Sequence, residues 1–311
     1  MTVQTTTSSD PASRGFFYAL SAYSLWGFLP LFLKAVAHIP ATEVVAHRIL
    51  WSVPVAGVVL LVLGRTKDVM AALRSPRTMV MAAVTAAIIA LNWGIYVWAI
   101  AVERTVESAL GYYINPLVSV AMGAVLLGER MNRMQMAAIG LATVAVCFLA
   151  VDAGGVPWVS LSLAFTFATY GYLRKTLPIG PSQGFFLEVL ILCLPALAYV
   201  VWLQMRGESH LLPSQPYDFA LLLACGPITA VPLLLYAFGA KLLRLSTLGL
   251  MQYIAPTMIF LIAIFVFNEP FDGVRVVAFA LIWSALAIYT WSTFFVHERP
   301  AVAEQVVTPD K

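Results

Sequence analysis

The feature that most constrains this chain is a succession of apolar runs, each close to the ~20 residues a helix needs to cross a hydrocarbon core. Ten can be marked: 15–34, 42–63, 78–101, 106–127, 133–151, 157–173, 184–204, 218–240, 246–267 and 274–295. The sixth is the weakest, being short and dotted with Ser and Thr. Between the runs stand brief breaks of turn and charged residues, and only the stretch from Arg206 to Asp218 has room for more than a turn. With 61% hydrophobic and 11% charged residues, against about 25% charged in soluble chains, this reads as an all-α membrane protein without a soluble domain. The net charge of +3 forms no basic patch, so nucleic-acid binding has nothing to rest on. The run after Arg14 lacks a small-residue cleavage site and reads as an uncleaved first helix. Cys147, Cys193 and Cys225 sit in three separate apolar runs without metal-ligand spacing and read as buried free thiols.

The second constraint is duplication. Tyr113-Ile114-Asn115-Pro116 returns 140 positions later as Tyr253-Ile254-Ala255-Pro256. Sixteen residues beyond each Tyr stands a Glu, Glu129 and Glu269, and at the same offset Tyr96 matches Tyr236, Arg104 matches Arg244 and Ala145 matches Ala285. Nearer the start, Trp26-Gly27 matches Tyr170-Gly171 and Glu43 matches Glu188, at offsets of 144 and 145. Each half thus holds five spans, 15–151 and 157–295, between polar tails at 1–14, expected to be disordered, and 296–311. Because five is odd, the second half enters the membrane from the opposite side. Inverted repeats with interrupted helices at their interface mark alternating-access carriers.

Proline inside a helix leaves the carbonyl four residues earlier without its donor. Here those carbonyls belong to Tyr112 and Gln252. Hydrocarbon tolerates such a group only where it faces protein or a wet cavity, so both copies point to a central cavity. With the N-terminus inside, 13 of the 18 Lys and Arg fall on the cytoplasmic side, which predicts cytoplasmic termini and an inner-membrane location.

Polar and aromatic side chains at helical spacing are the candidates for lining that cavity. In the fourth run Ser108, Tyr112, Asn115 and Ser119 share a face beside Pro116; the alternative is a helix–helix contact, at about 0.6 kcal/mol per hydrogen bond. Asn92, Trp93 and Tyr96 form a second group in the third run, where an amide and a phenol suit a small zwitterion. Tyr23 and Trp26 in the first run and Tyr170 in the sixth are candidates related by the repeat, with core packing as the alternative. Tyr236, Gln252 and Tyr253 supply the matching half. The central parts of the spans contain no Asp, Glu, Lys or Arg, which disfavours exchange of lipophilic cations on a midplane carboxylate. Glu43 and His47, one turn apart near the outer end of the second run with Arg48 adjacent, and Glu188 near the inner end of the seventh, read as gates pairing with basic residues such as Arg104 and Arg244, or as static salt bridges. Glu129 and Glu269 read as structural charges ahead of helix starts.

The runs Ala22-Tyr23-Ser24-Leu25-Trp26-Gly27, Glu43-Val44-Val45-Ala46-His47-Arg48, Gly111 through Leu117, Leu127-Gly128-Glu129-Arg130, and Arg244 through Gly249 with Gln252 through Pro256 resemble RarD-type members of the drug/metabolite transporter superfamily, of the EamA kind. The resemblance extends from about Gly15 to about Thr293. It implies ten transmembrane helices in two inverted five-helix repeats around a central substrate cavity. It also implies kinship with amino-acid exporters of the YddG kind and with proteins named for chloramphenicol sensitivity.

The function expected is therefore a secondary transporter exporting neutral or aromatic amino acids, or similar small zwitterions, by alternating access. Export of amphipathic drugs or other small metabolites is the alternative within that class. An intramembrane enzyme would need a nucleophile or metal set, and neither Glu43 with His47 nor any Cys has a second catalytic partner at useful spacing. A passive pore would show conductance rather than saturable flux. No catalytic residue, metal or cofactor is expected; the expected partners are the small solute and the lipid bilayer, and the sequence does not define an oligomeric state.

Overall fold

The computed structural model describes residues 10–102, 104–154, 158–211, 216–266 and 273–295, and these contain helices and connections but no strand. In chain order the helices are α1 Pro11–Gly27, α2 Leu29–Ala35, α3 Ala41–Val62, α4 Thr66–Leu73, α5 Pro76–Ala101, α6 Thr105–Leu127, α7 Arg133–Asp152, α8 Trp158–Thr176, α9 Pro181–Arg206, α10 Pro216–Leu242, α11 Leu245–Met251, α12 Ile254–Phe265 and α13 Gly273–Phe295. Eight segments among the described residues are long and apolar enough to cross a membrane, with α1 and α2 counted as one and α11 joined to the start of α12. Neither α8 nor α13 is among those eight, and α13 is apolar over the shorter stretch Val276–Ser292. Outward-facing Val125, Leu194 and Met205 stay largely exposed, as expected of side chains whose solvent is lipid.

Four elements depart from the sequence reading. The tail expected to be disordered as far as residue 14 is helical from Pro11. The first apolar run is two helices joined at Phe28, because Pro30 has no N–H to continue the ladder. The break from Gly64 to Arg77 contains α4, whose first turn carries Asp68 and whose Val69 is buried. More telling is the repeated Tyr-Ile-x-Pro motif. Its first copy lies inside an unbroken α6, with Pro116 in the helix interior, while its second copy falls at the gap between α11 and α12, where Gln252 and Tyr253 form a turn. There the Gln252 carbonyl accepts Ala255 N–H at 3.2 Å, so the carbonyl expected to be free is paired within its own turn. The thiol reading is corrected as well: Cys225 is buried, but Cys193 is half-buried and Cys147 exposed.

Repeat-related helices run antiparallel. Asn132, the cap of α7, donates its amide N–H to Ser292 Oγ near the end of α13 at 2.7 Å. At the start of α3, Thr42 shares a 2.7 Å hydroxyl contact with Tyr199 in the second half of α9. Small residues let α7 and α13 approach closely: Ala138, Ala142 and Ala145 on one, Ala278 and Ala285 on the other, all with no exposed surface. Repeat-related positions also meet directly, since Tyr253 Oη donates to the backbone carbonyl of Tyr113, its own counterpart, at 3.0 Å.

The two ends of the bundle are not equivalent. At the end that carries residue 11, here called the near end, Glu129 follows α6 and caps the start of α11 from the other half. Its Oε1 accepts Leu245 N–H at 2.6 Å, and its Oε2 accepts Ser246 N–H at 2.9 Å and Ser246 Oγ at 2.6 Å. This carboxylate meets a helix start, but the helix is in the opposite repeat rather than the next in sequence. Asn132 and Gln135 cap α7 instead, through a reciprocal capping box. Gly249 brings α11 onto α6 so closely that a Cβ there would lie 2.7 Å from Ser119 Cβ. The mirror-image packing of the first half of α6 on α12 has no comparable counterpart among the described residues. Among the described residues α6 is held to the other repeat at the near end and not at the far end, although the start of α3 still meets the second half there through Glu43, Ser209 and His210. Glu269 and Asp272 lie outside the described residues.

Candidate functional site

Four helices bring side chains together below the far end. Arg48 lies seven residues into α3, about 10 Å along the helix from its start. Its guanidinium stands 5.3 Å from the Trp93 ring centroid on α5, and its Nε donates to Thr229 Oγ1 on α10 at 2.9 Å. Tyr96, one turn beyond Asn92, meets Tyr112 of α6 edge-on with ring centroids 6.1 Å apart. Arg48, Trp93 and Tyr96 are half-buried, and Tyr112 is 40% exposed. Together these groups stand between α3, α5, α6 and α10, and the space among them is called the cleft below.

The backbone of α3 is fixed against α10 at this level. Ser52 Oγ donates to the Arg48 carbonyl at 2.5 Å and to the Gly226 carbonyl at 3.4 Å. Gly226 leaves no space of its own: a Cβ there would sit 2.5 Å from the Trp51 carbonyl carbon. Arg48 and Thr229 therefore meet from rigid, closely apposed helices.

Below the cleft, toward the near end, the aromatic candidates close on one another. Tyr23, Trp26, Phe167, Tyr170 and Tyr236 form one block, with Tyr170 stacked on Tyr236 at 6.2 Å and Trp26 5.7 Å from both Tyr23 and Tyr236. Tyr23 is fully buried and donates its hydroxyl to Leu248 O at 2.8 Å. Tyr236 lies seven residues beyond Thr229 on α10, hence about 10 Å further in. The block stops the cleft from continuing to the near end.

Other candidates spend their polar atoms on holding helices together. Asn92 donates its amide to Leu163 O at 3.0 Å and to Thr166 Oγ1 at 2.8 Å, tying α5 to α8. Asn115 accepts from Ser119 at 3.2 Å and Ser108 donates to Arg104 O at 3.3 Å, so those members of the α6 stripe are satisfied within the helix or its first turn. Of that stripe Tyr112 alone opens into the cleft. Gln252 and Tyr253 are buried, Tyr253 in the contact with Tyr113 described above.

Each gate candidate has its own partner. Glu43 is fully buried and accepts from Ser209 Oγ at 3.2 Å and His210 N–H at 2.8 Å, with His210 Nδ1 at 2.7 Å. His47 Nε2 lies 3.9 Å from Glu43 Oε1, and neither ring nitrogen has a hydrogen-bond partner among the described residues. Glu188 is held by Arg174 Nη1 at 3.2 Å and Tyr170 Oη at 3.1 Å. Arg104 is 3.5 Å from Glu107 and Arg244 donates to the Arg130 carbonyl. In this conformation neither basic residue meets a gate carboxylate.

Sequence reasoning passed over Arg48, Thr229, Phe167, Ser209 and His210. For Arg48 the signal was present, a lone cation with an apolar run on both sides. Its placement at the mouth, in spans taken to be free of charge at depth, is corrected by a side chain that reaches the cleft.

Antiparallel repeat-related helices packed into an apolar bundle fit a membrane transporter, and the chain belongs to the EamA-like transporter family, whose model matches residues 13–151. Among its relatives it is 42% identical to Protein RarD of Streptomyces exfoliatus, over 95% of this chain and 94% of that one. It is 36% identical to Protein RarD of Escherichia coli K12, covering 92% of this chain and 97% of the other. The Chloramphenicol-sensitive protein RarD of Pseudomonas aeruginosa is 30% identical over 91% of this chain and 95% of its own. One solved crystal structure, 20% identical, superposes with a TM-score of 0.68 over 89% of this chain and 97% of its own, which shows a shared fold.

Proposed function

We propose that this multi-pass membrane protein is a secondary carrier that exports amino acids or similar small solutes by alternating access. The supporting observation is the inequality of the ends: Glu129 and the aromatic block join the two halves toward the near end, while Trp93, Tyr96 and Tyr112 stand in the cleft below the far end. An inverted repeat offers a reverse state in which repeat-related positions meet at the other end, with a packing that need not copy this one. With the near end cytoplasmic, as the charge distribution suggests, the parting of α6 from α12 would face outward, which supports an outward-facing reading. Indole and phenol surfaces suit an aromatic or other flat apolar body.

Export of amphipathic drugs or other metabolites is the second reading. The printed name of the Pseudomonas aeruginosa relative favours it, and so does the aromatic lining. Counterflow in proteoliposomes loaded with a panel of amino acids separates the two. Saturable exchange of a labelled neutral or aromatic amino acid, abolished by excess unlabelled compound, is the expected result. Exchange of chloramphenicol with none of the amino acids would transfer the assignment to the second reading.

A further inference from the structure

We infer that Arg48 is the receptor for an oxyanion on the transported solute, so that the carrier selects small organic anions with an apolar body. The inference rests on the carrier reading and names the charge class that the cleft accepts.

Four of the described carboxylates around the cleft and at the far end have partners of their own. Glu43 is held by His210 and Ser209, Glu107 faces Arg104, Asp218 accepts His38 at 2.8 Å and Glu208 accepts Arg206 at 2.9 Å. Arg48 has no carboxylate among the described residues. Nε is used on Thr229 and one face lies against Trp93, which fixes the plane of the guanidinium. The terminal nitrogens make no hydrogen bond to any described residue. A guanidinium so presented offers a planar fork that carboxylate and phosphate groups match with two parallel hydrogen bonds. Leaving a cation uncompensated at this depth is costly, and an anionic ligand removes that cost. Of the nearby acids Glu107 keeps one buried oxygen without a hydrogen bond, but its other oxygen is 3.5 Å from Arg104, and the Gln252 carbonyl, the other candidate for an ammonium, is paired. A monoanion therefore fits better than a zwitterion, and a cation fits worst.

A charge series on one apolar body tests this: 3-phenylpropionate, phenylalanine, phenethylamine and phenyl phosphate. Each is added at millimolar concentration to the purified full chain, with thermal stabilisation and inhibition of counterflow as readouts. The wild type should be stabilised by 3-phenylpropionate or phenyl phosphate, less by phenylalanine and not by phenethylamine; the two anions show which oxyanion is preferred. Arg48→Gln should weaken the anion by about tenfold or more, the equivalent of at least ~1.4 kcal/mol. Arg48→Lys keeps the charge but loses the fork and should fall between the two. Thr229→Val, which only frees the guanidinium plane, should weaken binding less than Arg48→Gln while leaving the charge preference intact.

Equal stabilisation by phenethylamine, no stabilisation by either anion, or unchanged anion affinity in a folded Arg48→Lys or Arg48→Gln protein would overturn the inference. So would stabilisation by short-chain phosphatidylglycerol alone, which would assign the guanidinium to a lipid phosphate. If anions bind as expected and no solute shows saturable exchange, the carrier reading fails and the anion site stands. If exchange is saturable but indifferent to Arg48, the carrier reading stands alone.

Discussion

Glu188→Ala should cost the folded protein about 3–5 kcal/mol, the usual consequence of removing one member of a buried ion pair. Arg174 is 5% exposed and Glu188 2%, so the guanidinium left behind cannot recover its hydration. It would keep only the bond from Nη2 to Pro181 O at 2.6 Å, while its Nε already lacks a partner. Tyr170 would lose its acceptor in the same stroke. Gly184 shows how closely the site is built, because a Cβ there would collide with Arg174 Nη1.

Chemical denaturation in detergent measures the loss. The double variant Arg174→Met with Glu188→Leu should recover most of it, since no charge then stays unpaired. That variant also separates the two readings of the pair. A static brace leaves transport intact in the stable double variant, whereas a gate that opens during the cycle does not. Wild-type stability in Glu188→Ala would mean that water reaches Arg174 and that the pair is not buried.

Gly226→Ala is expected to destabilise by about 1–3 kcal/mol or more, although replacing Gly by Ala within a helix ordinarily gains about 1 kcal/mol. The new methyl would meet the backbone carbon and oxygen of Trp51, with the Trp51 Cβ at 2.7 Å. Backbone cannot rotate aside, so α10 must move off α3 and carry Thr229 away from Arg48. Gly140→Ala is the control. It lies inside α7 with nothing within 4 Å of the added atom, and should keep or raise stability. Thermal unfolding of the two variants should give opposite signs; equal behaviour would show that α3 and α10 do not approach as described.

The spans and the inverted duplication were legible because each rests on long apolar runs and on offsets repeated over many residues. What could not be read was which face of a helix meets another helix and which meets the cleft. Asn92 and Tyr96 sit one turn apart, yet one ties α5 to α8 and the other faces the cleft. The proline motifs make the same point. Both copies predict an interruption, but α6 stays whole and the gap opens between α11 and α12. One local difference accompanies this: Gly249, where an added Cβ would come within 3.0 Å of the Pro116 carbonyl oxygen and 2.7 Å of Ser119 Cβ, has Ala109 at the corresponding position. The methyl of an alanine cannot fit an approach that close, and Ala109 is exposed, so the two halves close differently although their motifs agree. Glu129 was read as a charge at a helix start, and it does meet one, at Leu245 and Ser246. That it caps a helix of the other repeat depends on a crossing between segments 116 residues apart in sequence, which no local pattern encodes.

The isolated cation on α3 makes the empty and loaded carrier electrically different. Its repeat-related position holds Cys193, so the asymmetry belongs to one half alone. Unloaded, the site carries +1; with a monoanion aboard it is neutral. A cell interior held negative then draws the empty site inward, with a driving force of at most about 2.3 kcal/mol per 100 mV if the charge crosses the whole field. Voltage alone would bias such a machine toward outward delivery, with no sodium or proton gradient, and efflux indifferent to an imposed potassium diffusion potential would contradict it.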